Sequence, residues 1–220
     1  MATAPRPPSS WSFGPERDVV AGSMDLYDGL HGRAVHSRTV VHDRAAGWFL
    51  VVDGVSSDRG GRSVEATWHA HPNATVRLLP PGQQAAILDG VAAASGGRPT
   101  GAQLAIVPAT GQVHAWSSLR VAEGERAGVG GAHEDQGWFS AGYDDPVPSP
   151  TLVYGATLGA GEKHAVFAWL LLPSPVPFPA GGVGATAAVT SVREGGTVAV
   201  TVATSAGGVD VVVELEGFGG

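Results

Sequence analysis

His69 and His71, one residue apart, are placed by type and spacing to hold a metal ion. On a strand, positions i and i+2 share a face, so a His-x-His pair presents two imidazoles to one cation, with Glu65 about two pleats away. His36 and Asp53 could approach from neighbouring strands and complete a site for zinc or another divalent metal. Plainer readings exist for the same residues. The histidines also suit the solvent face of a half-exposed sheet, and Asp53, ending an apolar run before Gly54, suits a turn cap.

A second set lies in Gly137-Trp138-Phe139-Ser140-Ala141-Gly142-Tyr143. Trp138, beside a glycine, is a candidate exposed contact for a sugar, and Tyr143 is its companion. His133, Glu134 and Asp135 could form an acid–base group with Tyr143, although a solvated loop explains them as well. Trp68 and Trp169 fall on or within apolar runs and are expected in the core. A cupin-type metal barrel is disfavoured, because residues 72–83 contain no acid where its glutamate would fall. Phosphate-binding glycine loops, G-x-S-x-G and H-E-x-x-H are absent.

These residues need strands to position them. Residues 35–41 alternate, with His36, Arg38 and Val40 on one face. Residues 48–52 are continuously apolar, as in a central strand buried on both faces. In residues 64–70, Val64, Ala66, Trp68 and Ala70 face one way and Glu65, Thr67, His69 and His71 the other, until Pro72 ends the ladder. Further strands are expected at 75–79, 85–88, 102–107, 113–117, 152–157 and 165–172. Glycine-rich turns then join three β-branched runs at 185–192, 197–203 and 209–215. The pattern predicts an all-β fold, an antiparallel β-sandwich of supersandwich-like layers with few or no helices. Residues 1–12 read as a flexible leader, or as the point where a longer protein was cut. Residues 13–220 read as one sandwich domain, in which the Pro-rich connector 173–184 leads into terminal hairpins at 185–216.

The 33 glycines and 16 prolines recur between short apolar runs, as turn punctuation does. There is no cysteine, so neither disulfides nor thiolate metal sites are available. With 13 Lys+Arg against 20 Asp+Glu, the net charge of −7 argues against a nucleic-acid partner. No apolar stretch approaches the roughly 18–20 residues that span a bilayer, so no membrane role is expected. The N-terminal residues lack the apolar core of a signal peptide. Composition leaves the oligomeric state and the compartment open.

Taken in order, several segments resemble the heparinase II/III-like polysaccharide lyases, in their C-terminal β-sandwich region. Asp25-Leu26-Tyr27-Asp28-Gly29-Leu30 with Val35-His36-Ser37-Arg38 is similar to the family's GY…HRR strand, and Phe49-Leu50-Val51-Val52-Asp53 to its lvvD strand. His69-Ala70-His71-Pro72 resembles the H-x-x-P strand end. Residues 137–143 with Pro148 and Pro150 resemble GW-S-x-Y-G…P-x-P, and Leu170-Leu171-Leu172-Pro173 the closing strand. The resemblance covers about residues 11–173. It implies an (α/α) toroid followed by β-sandwich layers, and β-elimination of uronic-acid polysaccharides such as glycosaminoglycans or alginate. It further implies Tyr/His acid–base chemistry between the two parts, zinc in many members, and a periplasmic or secreted setting.

The family's H-x-H-x-D, D-P-G-T-Y and H-N-T motifs, and the toroid, do not occur in this sequence. The resemblance therefore implies no catalytic residue and no resident cofactor here. It points to a scaffold meeting an acidic polysaccharide through an associated toroid, and inactive alone. A glycan-binding or structural β-module, or a metal-binding protein using His-x-His, are the alternatives.

Overall fold

The computed structural model describes residues 9–25, 32–80, 84–91, 99–112, 114–126, 135–143, 145–179, 182–216 and 218. Among them are sixteen strands and no helix. They are β1 (Ser9–Phe13), β2 (Arg17–Met24), β3 (Ala34–Asp43), β4 (Trp48–Ser57), β5 (Ser63–His69), β6 (Thr75–Leu78), β7 (Ala86–Val91) and β8 (Pro99–Pro108). β9 (Ser118–Ala122), β10 (Trp138–Ser140), β11 (Pro146–Pro148), β12 (Thr151–Thr157), β13 (His164–Ser174), β14 (Thr186–Val192), β15 (Thr197–Thr204) and β16 (Gly207–Glu214) follow. Residues 26–30 of the family-like segment, and His133 and Glu134, lie outside the described residues.

An eight-stranded sheet, in the order β1-β2-β3-β4-β13-β8-β7-β6, forms the middle layer. One face carries the sheet β14-β15-β16, the other the sheet β5-β12-β9. Every strand pair in these sheets is antiparallel. The strict two-residue period of a strand divides the apolar run of β13 between two cores. Val166, Ala168 and Leu170 join the valines of β15 and β16, whereas Ala165, Phe167 and Trp169 join Leu152 and Tyr154 of β12. β4 does the same with Leu50 and Val52 against Val51. Unbroken apolar runs are therefore what a middle layer requires, and the sandwich expectation holds with three layers.

Three local expectations change. Residues 9–12, read as part of a leader, belong to β1, whose Trp11 pairs with Val20 of β2. No strand forms at residues 114–117. There the chain passes from the middle sheet to the β5-β12-β9 sheet, and Trp116 turns into the core to stack on Phe167 at 4.0 Å. Gly111 begins this passage with φ +69, and a Cβ there would lie 2.5 Å from the Val189 carbonyl oxygen. Finally, β5 ends at His69, so His71 belongs to the turn that follows.

Candidate functional site

His36 and Arg38 are two apart on β3 and so share a face; Arg38 lies opposite Asp53 of β4. Arg38 donates to Asp53 through Nε at 2.7 Å and Nη2 at 2.9 Å, and His36 Nε2 donates to the same carboxylate at 2.7 Å. The Asp53 side chain is only 4% exposed, and these three contacts supply the partners that a buried carboxylate needs. Arg38 also lies over the Trp68 ring, 5.8 Å from its centroid. Asp53 is thus the anchor of an ion-pair cluster, in place of the turn cap considered above.

The cluster opens into a cavity of about 250 Å³ where the edge strand β5 meets the middle sheet. His36, Arg38, Asp53, Glu65 and Thr67 supply its polar wall, and Trp116, Phe167 and Trp169 its aromatic one. The indole Nε1 atoms of Trp68, Trp116 and Trp169 are buried without a hydrogen-bond acceptor in the structure.

The structure separates the remaining candidates. His69 bonds Thr151 Oγ1 at 3.0 Å, and His71 Nδ1 accepts from the Asn73 amide at 3.1 Å. His36 and Asp53 meet, but among the described residues no three His, Asp or Glu side chains converge as a metal site. Trp138 is half-buried: its indole donates to the Glu125 carbonyl at 2.7 Å, and the Arg126 guanidinium covers one ring face at 4.3 Å. Tyr143 is fully exposed in the turn between β10 and β11. Asp135 is exposed and within 3.9 Å of Arg126. Among the tyrosines, burial pushes the Tyr154 phenol well up; its hydroxyl donates to the Gln84 carbonyl at 2.9 Å.

A feature that sequence reasoning missed lies beside the cavity. The β5-β12-β9 sheet covers the middle sheet from β4 onward, but leaves the same face of β1–β3 open. Register places Trp11, Phe13, Val20, Met24, His36, Arg38 and Val40 on that open face. Trp11 and Phe13 are each 68% exposed, Val20 47% and Met24 43%. Val20, Met24, His36, Arg38 and Val40 line a groove of about 400 Å³ there. On the same face, Asp18 is gripped by Arg44 at 2.7 and 2.8 Å. That hydrogen-bonded guanidinium, with His42 beside it, holds the Asp18 carboxyl below its ordinary range. An apolar centre with paired charges at its margin is the anatomy of an interface. The available signal was the same i, i+2 rule applied to residues 18–24.

Three antiparallel layers with one half-face uncovered define an open β-sandwich rather than a closed barrel. The chain belongs to the heparinase II/III-like, C-terminal family, whose profile matches residues 5–170. No curated protein matches it in sequence. In structure it is similar to the heparan sulfate lyase HepC from Pedobacter heparinus, with TM-score 0.67 and 15% identity, covering 96% of this chain and 28% of that one. It is also similar to the heparinase III BT4657 gene product, with TM-score 0.68 and 11% identity, covering 95% of this chain and 28% of that one. The chain thus spans little more than a quarter of these lyases. The strands β14–β16 lie beyond the family profile but within the extent of these structural matches.

Proposed function

We propose that this chain is the C-terminal β-sandwich of a heparinase II/III-type polysaccharide lyase, acting as scaffold and as one wall of the glycan cleft. The observation that supports this is the open face of β1–β3, where Trp11, Phe13, Val20 and Met24 stand exposed together. Monomeric proteins rarely leave such a patch uncovered, and the matched lyases are more than three times longer than the part this chain covers. The occupant of the face is the remainder of the lyase, a helical toroid carrying the proton-transfer groups.

In the assembled enzyme the reaction is β-elimination. A base removes the proton α to a uronate carboxylate, the glycosidic C–O bond breaks, and an unsaturated uronide leaves. This chain supplies the wall and the rigidity, and the acidic polysaccharide reaches it through the toroid. The chain alone should release no unsaturated uronide from heparan sulfate, followed by ultraviolet absorbance of the conjugated product. Robust release by the isolated chain would overturn the scaffold reading.

A further inference from the structure

We infer that the outer edge of β1 is a pairing surface for a second copy of this chain. β1 ends the eight-stranded sheet, and among the described residues no strand pairs with its outer side. The Gly14 amide bonds the Arg17 carbonyl at 2.8 Å where the β1–β2 hairpin closes. Backbone bonding in an antiparallel ladder alternates residue by residue, so Ser12 and Ser10 turn their N–H and C=O groups toward Val19 and Ala21 of β2. Those of Ser9, Trp11 and Phe13 point outward. This outward set is symmetric about Trp11. A two-fold axis through that residue sets Trp11 against Trp11 of the second copy, and Ser9 against its Phe13. Each copy brings three N–H and three C=O groups, so six donors meet six acceptors, the self-complementarity that a two-fold contact requires.

Within the three layers, every other sheet edge carries a feature that discourages such pairing. β6 is short and holds Arg77, β5 holds Glu65 and β9 holds Arg120. β14 is bridged on its outer side by Thr110, whose amide bonds the Ala187 carbonyl at 2.9 Å and whose carbonyl accepts from Val189 at 2.8 Å. β16 holds Asp210 and Glu214, and the Glu214 carbonyl accepts the Thr39 hydroxyl at 2.8 Å. Ser9–Phe13 has no charge, proline, glycine or bulge, so the chain's net charge of −7 is not concentrated where two copies would meet. Trp11 and Phe13 are each 68% exposed on one face. Pairing aligns them with the Trp11 and Phe13 of the second copy in one aromatic strip of opposite and diagonal neighbours. The two-fold stands perpendicular to the sheet, so two eight-stranded sheets become one and their open faces lie side by side. The bonds form in the plane of the sheet and leave the open face available to a docked toroid.

Six backbone bonds and a narrow strip make a small interface, so half-dimerisation is expected near about 100 µM chain. Sedimentation equilibrium of the isolated chain should show its mass rising with concentration toward twice that of one copy. The chain has no cysteine, so introduced ones report the register without background. Ser10 would stand opposite Ser12 of the second copy at the ~4.5 Å Cα spacing of a non-hydrogen-bonded pair, within disulfide reach. The two Ser10 residues would lie on a diagonal of about 7–8 Å, beyond that reach. Both serines are exposed and face away from Trp11. On mild oxidation, mixed S10C and S12C chains should give a disulfide-linked dimer, with about tenfold less from either chain alone. W11P removes an outward N–H, which an edge strand tolerates, and should leave a folded monomer. S12P removes an N–H bonded to β2 and should lower Tm instead. A chain that stays monomeric at about tenfold the expected midpoint, S10C alone crosslinking as fast as the mixture, or an undiminished W11P dimer would each overturn the assignment. These measurements use the chain alone without glycan or toroid, so they fail separately from the lyase reading.

Discussion

Arg38 lies directly across the β3–β4 ladder from Asp53 and grips its carboxylate through both Nε and Nη2. The pair ties the last strand under the β5-β12-β9 sheet to the first strand outside it, and so fixes the boundary between the covered and open halves of the face. Removing Arg38 leaves a buried carboxylate with only His36. R38A should therefore cost about 2–3 kcal/mol, less than a fully buried pair because the guanidinium is half exposed. At about 2–4 °C per kcal/mol for a chain of this size, calorimetry should show a fall of about 4–12 °C in Tm. A loss no larger than that of an ordinary surface arginine would contradict the role.

The exposed aromatics should behave oppositely. W11S and F13S remove side chains that the isolated chain barely buries, so each should change stability by no more than about 0.5 kcal/mol. Both should abolish co-elution with the toroid segment on size exclusion. A large drop in Tm for either variant would mean that the face already has a partner within this chain.

Gly137 opens the hairpin of β10 and β11 at φ +75, a conformation that costs an L side chain about 1–2 kcal/mol. A Cβ there would also lie 2.6 Å from Glu123 Cα and 2.7 Å from the Ala122 carbonyl oxygen, backbone atoms that cannot rotate away. G137A should dislodge Trp138 from Glu125 and Arg126, seen as a red-shifted and more quenchable tryptophan emission. An unchanged emission would show that the hairpin tolerates the side chain.

Acid should loosen the open face. The Arg44 hydrogen bond holds Asp18 below its ordinary value of 3.8, so the pair stabilises the fold above the unfolded carboxylate range. That contribution fades as pH falls through the lower folded value. D18N should flatten the dependence of Tm on pH below about 4 by lowering Tm at neutral pH, where the pair contributes, while leaving Tm in acid little changed. An identical pH profile in D18N would refute the linkage.

Much of the fold was legible because the middle sheet obeys two simple patterns. Alternation marked β3 and β5, and unbroken apolar runs marked β4 and β13, which are buried on both faces. The segment before β9 misled because an apolar stretch that crosses between layers reads like a strand; Trp116 is there to fill a core. β2 escaped notice because its face toward solvent is as apolar as its other face, which blurs the alternation, whereas β1 alternates Trp11 and Phe13 with serines but falls largely in the segment read as a leader. The cluster at Asp53 was half visible: His36 and Asp53 were candidates, but Arg38 entered only as a strand residue. His69 and His71 illustrate the opposite case, since shared strand parity did not give them a shared partner once β5 ended between them.

In the proposed function, this chain completes a lyase whose chemistry resides on a toroid segment. The most direct measurement is unsaturated-uronide production from heparan sulfate by that toroid segment, with and without this chain. Negligible product is expected from either part, strong activity from the mixture, and loss of that activity with the W11S and F13S variants. Full activity of the toroid segment without this chain, or a mixture as inactive as its parts despite co-elution, would contradict it.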